Sequence, residues 1–193
     1  NDGWTPLYVA AENGRTQIVS ELLKREADPN IPNKHGWTPL YVAAAQGYTQ
    51  IVSELLSHEA NPNIPNNDGW TPLYVAAENG RTQMVTELLT HGANPNIQNS
   101  DGWTPLFAAV LEGHTQIVSE LLSHEANPNI QDKHGRTPLY AAVMMGDTQI
   151  VSELLNHEAN TNIQDKHGMT PLSIAEQRNN TAIVTLLEAA IQN

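Results

Sequence analysis

Four histidines, His58, His91, His124 and His157, recur every 33 residues, and Ser20, Ser53, Ser119 and Ser152 each head a Ser-Glu-Leu-Leu run. A metal ion needs its ligands within about 2.0–2.2 Å of one point, and a nucleophilic triad needs one convergent set of groups. Residues that repeat with the chain's own period are held apart by that period. The histidines therefore read as solvated or helix-end groups, and the serines as surface helix residues. Glu12, Glu78 and Glu112 fall on different units, so no carboxylate pair is set up for acid–base work. There is also no Gly-rich phosphate loop. No catalytic residue, metal site or cofactor is expected, and His35, His134 and His167 read instead as contact residues at loop tips.

The elements that carry these residues are set by a longer pattern. Thr-Pro-Leu begins at Thr5, Thr38, Thr71, Thr104, Thr137 and Thr170. A fixed period of this size marks a stacked array, in which each unit is too short to bury a core alone. The 193 residues are accordingly one solenoid. Net charge is −12, from nine Lys and Arg against 21 Asp and Glu. That sign repels phosphate backbones and anionic lipid heads, so nucleic acid and membrane are not expected partners. Cysteine is absent, which excludes disulfides and leaves the redox compartment open. The longest apolar runs, such as Leu139 to Met145, are far below the roughly 20 residues of a membrane span.

Within the unit from His35 to Asn67, Thr38 offers an N-cap hydroxyl ahead of Pro39 in the first helical turn. Leu40, Ala43 and Ala44 follow at helical spacing, and Gly47 is placed to end the helix. A second helix starts near Thr49 and buries Ile51, Val52, Leu55 and Leu56. Asn61 to Gly69 is dense in turn residues. Together Gly36-Trp37-Thr38-Pro39-Leu40, Ala43-Ala44, Gly47, Leu55-Leu56, Ala60 and Asn63 resemble the ankyrin repeat.

The resemblance covers the whole chain: five units (1–34, 35–67, 68–100, 101–133 and 134–166) and a C-terminal capping repeat, 167–193. It implies an all-α-dominated solenoid of stacked helix–turn–helix units with β-hairpin tips. It also implies that the tips and first helices form a concave partner-binding groove. Two departures stand out. Where the family favours His after Thr-Pro-Leu, this chain has Tyr8, Tyr41, Tyr74, Phe107, Tyr140 and Ser173. Phe107 has no hydroxyl, so packing is expected to define the position. Where the family favours Gly after the second helix, the chain has Glu26, Glu59, Gly92, Glu125 and Glu158. The chain opens inside a repeat without Met, so a cut N-terminus or further preceding repeats are expected. An intracellular location is favoured by the resemblance and by the lack of a basic-then-apolar opening segment.

Differences between units separate scaffold from surface. Val9, Val42 and Val75 pair with Ala11, Ala44 and Ala77, while Ala108 and Ala141 pair with Val110 and Val143; volume is kept, which is core behaviour. Before the Thr, by contrast, stand Trp4, Trp37, Trp70 and Trp103, then Arg136 and Met169. First helices end in Glu12-Asn13, Ala45-Gln46, Glu78-Asn79, Leu111-Glu112, Met144-Met145 and Gln177-Arg178. These positions resemble those diversified in designed ankyrin repeat binders.

The expected partner site is therefore Trp4, Trp37, Trp70, Trp103, Leu111, Glu112, Arg136, Met144, Met145 and Met169, with Trp and Arg as anchors and Met as an adaptable patch. The competing readings are lateral stacking of the Trp between hairpins and inner-helix packing of the Met pair. The function expected is a non-catalytic scaffold, whether adaptor, effector or engineered binder, that holds a protein or peptide of basic or amphipathic character. A spacer or self-assembling segment of a longer repeat protein is the alternative. A monomer is expected, with weak self-association through the Met patch as the exception.

Overall fold

The computed structural model describes residues 2–192, and its helices come in pairs. The pairs are α1 (Pro6–Glu12) with α2 (Thr16–Lys24), α3 (Pro39–Gln46) with α4 (Thr49–Ser57), and α5 (Pro72–Glu78) with α6 (Thr82–Thr90). They continue with α7 (Pro105–Leu111) and α8 (Thr115–Ser123), α9 (Pro138–Met145) and α10 (Thr148–Asn156), and α11 (Pro171–Gln177) and α12 (Thr181–Gln192). First helices pack on first helices, and second on second, along the array. One continuous core results, running from Leu7 to Leu187.

Each first helix starts the same way. The hydroxyls of Thr5, Thr38, Thr71, Thr104, Thr137 and Thr170 accept the N–H three residues on, at 3.1–3.2 Å. Thr38, Thr71, Thr104 and Thr137 are buried, so without the hydroxyl that amide would have no partner and no water. This is why Thr is kept where Ser or Asp would cap an exposed helix as well. At the other end, a neighbouring unit supplies a cap to α3 and α5. Arg81 Nη2 donates to the Ala45 carbonyl at the end of α3, and the His114 ring lies 3.1 Å from the Glu78 carbonyl at the end of α5. Nothing in the period marked Arg81 or His114 as links between units.

The four periodic histidines close their own helices. Nδ1 of His58, His91, His124 and His157 lies 2.9 Å from the carbonyl four residues back. The next residue is left-handed in every case, with φ 62–64° at Glu59, Glu125 and Glu158 and 81° at Gly92, and so is Glu26 after Arg25 in the first unit, at 62°. Glu59 N–H donates to the Leu56 carbonyl and Ala60 N–H to that of Leu55, the paired bonds of a Schellman ending. Asparagines then tie the loops together. Asn30, Asn63, Asn96 and Asn129 accept the N–H of Asn61, Asn94, Asn127 and Asn160 at 2.7–2.8 Å.

The tips correct one expectation. Among the described residues they form turns and no strand. A single backbone bond joins consecutive tips, as from Asn67 N–H to the His35 carbonyl. Asn33 Oδ1 has taken the N–H groups of His35 and Trp37, and Pro32 has none to offer, so a β ladder lacks its donors.

The two ends of the array differ. Val9 and Ile18 are 39% and 53% exposed, where their counterparts Val42 and Ile51 are covered by the preceding unit. At the other end α12 buries only Ile183 and Leu187 and turns the rest of its surface outward.

Two stability predictions follow from these contacts. Glu59→Gly relieves a left-handed side chain and Gly92→Glu introduces one where a Cβ meets nothing within 4 Å; thermal melts should move in opposite directions by about 1 kcal/mol each. Ile51→Gln should cost roughly 2–5 kcal/mol in urea unfolding, and Ile18→Gln under about 1 kcal/mol.

Candidate interaction surface

The tryptophans stand one helical turn before the aromatic at the third helix position, and the two rings meet. Centroid separations are 6.0 Å for Trp4–Tyr8, 6.2 Å for Trp37–Tyr41, 5.6 Å for Trp70–Tyr74 and 5.6 Å for Trp103–Phe107, with planes within 27°. Trp37, Trp70 and Trp103 are half-buried against the core. Stacking is therefore within each unit, not lateral between hairpins as the competing reading had it, and the rings stay partly exposed. Trp4 is 56% exposed because no unit covers it among the described residues. Phe107 stacks as well as the tyrosines do, which is why the hydroxyl is dispensable.

Arg136 occupies the next rung, but it is held. Its Nε and Nη2 donate to Oδ2 of the buried Asp132 at 2.8 and 2.6 Å, and its guanidinium sits 6.0 Å from the centre of the Phe107 ring. Asp132 also accepts Trp103 Nε1 at 3.3 Å and the N–H groups of His134 and Arg136. The switch from Trp to Arg at this rung thus coincides with a switch from Asn33, Asn66 and Asn99 to Asp132. Burial by itself raises the Asp132 carboxyl, but the Arg136 side chain and the two backbone donors outweigh it and hold the group below its ordinary range. Met169 is half-buried, and its N–H is tied to Asp165.

The helix ends are more open. Met145 is 60% exposed, Glu112 is exposed, and Leu111 and Met144 are partly buried against the core. The contact of α7 with α9 puts Leu111 and Met144 at neighbouring helix ends. Earlier in the array the same level is acidic. Glu78 is partly buried, and burial, with Glu112 adding its charge, pushes its carboxyl up. Its ionised form is disfavoured in the fold, so Glu78 subtracts stability as pH rises through that raised value.

A family model described as Ankyrin repeats (3 copies) matches residues 1–66, 54–132 and 116–192. The chain belongs to the ankyrin repeat family. Ankyrin repeats are generally protein–protein interaction modules, and the family is generally non-catalytic. No curated protein matches the chain. No helix among the described residues is long and apolar enough to cross a membrane. Sequence reasoning placed Arg136 correctly on the Trp rung but missed its anchor, Asp132; the Asn-to-Asp change in the preceding loop was the signal.

Asp132→Asn and Arg136→Trp should each destabilise this ankyrin array, whereas the double variant, which copies the Asn99–Trp103 pairing, should recover much of the loss. A double-mutant cycle is expected to give about 1–2 kcal/mol of coupling. Because the Asp132 carboxyl is held low, its contribution is present above the ordinary Asp value of 3.8 and lost as pH falls through the lower folded value. Asp132→Asn should flatten that acid limb of the stability curve.

Proposed function

We propose that this ankyrin array is a non-catalytic scaffold that grips one protein partner along the surface formed by its tips and first-helix ends. The observation that carries the reading is the contrast between two sets of equivalent positions. The buried first-helix residues keep their type or exchange volume, as Val42–Ala44 does with Ala108–Val110. The residues at the helix ends change charge, size and polarity from Glu78-Asn79 to Leu111-Glu112 to Met144-Met145. A methionine left 60% exposed at the end of α9 has no packing duty that accounts for it.

In this reading the exposed parts of Trp37, Trp70 and Trp103 grip the partner, as does Trp4. Leu111, Met144, Met145 and Met169 supply an apolar, deformable contact beyond them. Glu112 sits between the acidic and apolar stretches and sets the partner's polarity. Arg136, locked by Asp132, offers a rigid rim rather than a mobile charge.

The test is affinity capture by the parent and by a variant carrying Leu111→Glu, Met144→Glu and Met145→Asn, residues that units one and three already hold at these positions. After circular dichroism shows equal folding, a partner bound by the parent should lose at least tenfold in affinity for the variant. Equal affinity would remove the helix-end patch from the binding surface. Empty captures together with mass that rises with concentration would favour self-assembly, which the exposed Trp4, Val9 and Ile18 face could support.

A further inference from the structure

Across the units the hydroxyl at the third position of the first helix has different fates. Tyr8 donates to Glu12 at 3.3 Å, and Tyr140 to Asp165 at 3.0 Å. Tyr41 and Tyr74, in the middle of the array, are 6% and 2% exposed, and their hydroxyls have no hydrogen-bond partner among the described residues. A buried phenol normally finds a partner for its hydroxyl. Neither hydroxyl is sealed, since the sealed and unpartnered side-chain atoms among the described residues are Asn33 Nδ2 and Arg81 Nε. Both therefore open towards solvent at one level of the first-helix face.

That level is where carboxylates gather without an ion-pair partner among the described residues. Tyr74 and Glu78 stand in the same four-residue relation as the bonded pair Tyr8 and Glu12, without that hydrogen bond, on a helix packed between α3 and α7. Glu112 follows the end of α7, which packs against α5, and its charge raises the Glu78 carboxyl; across the α3–α5 contact the Glu78 charge raises the Tyr41 hydroxyl. Neither Glu78 nor Glu112 has an ion-pair partner among the described residues. Arg81 is turned to the Ala45 carbonyl, and the His114 ring lies against the Glu78 carbonyl, so neither side chain pairs with these carboxylates.

We infer that the ends of α3, α5 and α7 form a seat for one arginine side chain of a bound polypeptide, with Glu78 and Glu112 taking the guanidinium charge and the Tyr41 and Tyr74 hydroxyls accepting its remaining N–H groups. The inference rests on the scaffold reading above and names what that surface holds at its centre. A guanidinium has five donors and no acceptor, which matches a site made of carboxylates and free hydroxyl lone pairs. It is also weakly hydrated and planar, so a half-buried place beside the Trp70–Tyr74 stack suits it better than it suits a lysine ammonium. The repulsion between Glu78 and Glu112 and the burial of Glu78 are costs that the bound cation relieves.

The test is a nuclear magnetic resonance titration of the labelled protein with the peptide acetyl-Ala-Ala-Arg-Ala-Ala-amide, and with the same peptide carrying citrulline, which keeps the shape without the charge. Saturable shifts at Tyr41, Tyr74, Glu78 and Glu112 are expected with arginine and absent with citrulline. Tyr41→Phe with Tyr74→Phe should weaken binding at least fivefold at unchanged net charge; Phe107 already fills this position, so the fold accepts it. Glu78→Ala with Glu112→Asn should abolish the shifts, while Glu21→Ala with Glu188→Ala, which also removes two charges, should leave them. Shifts spread evenly over the acidic surface, equal response to citrulline, or full binding by the double Phe variant would overturn the seat. Met145-dependent capture that persists without arginine shifts rejects the seat alone. Arginine shifts without Met145-dependent capture reject the apolar patch and leave the seat standing.

Discussion

No unit of this chain can hide its own apolar face, and everything else follows from the need to share it. Leu40, Ala43, Ala44 and Ile51 reach 0–1% exposure only because a neighbouring unit lies against them. The first unit shows the counter-case, with Val9 and Ile18 open on the side that no described residue covers. Burial of the inter-unit face supplies the drive for stacking. The small alanines let first helices approach closely, and the buried threonines cap helix starts that water cannot reach. The period is therefore a packing requirement before it is a sequence pattern.

Polar links then fix the register that apolar packing leaves loose. The asparagine ladder from Asn30 to Asn129 gives each loop amide a partner in the unit before it. Arg81 and His114 reach back to close the helix in front. Such bonds are each worth about 1 kcal/mol net, but their direction allows one stagger between units. The left-handed glutamates run against this economy, and nothing in the structure explains why Glu rather than Gly stands at those four helix ends.

Function on such a scaffold depends on what the shared face does not consume. Each unit spends its Leu, Ala, Ile and Thr on neighbours and leaves the tip and the last turn of its first helix free. Within that free strip the chain changes character along its length. It is acidic and hydroxyl-bearing around Tyr41, Tyr74, Glu78 and Glu112, then apolar around Leu111, Met144 and Met145. A partner laid along the strip meets charge at one end and deformable surface at the other.

The sequence alone was enough for the period, the helix pairs, the threonine caps, the core positions and the ankyrin family, because these depend on contacts that repeat identically in every unit. The positions free to vary were legible for the same reason. The use made of each variable residue was not, since that depends on which neighbours it meets, some four residues away in its own unit and some 25 to 36 residues away in the next. Arg136 reads as an open anchor until Asp132 is seen to hold it. The Trp ladder reads as a row of free rings until each is found stacked on its own Tyr or Phe. Tyr41 and Tyr74 look identical to Tyr8 and Tyr140 in the alignment of units, and only the placement of the carboxylates around them leaves two hydroxyls bonded and two free.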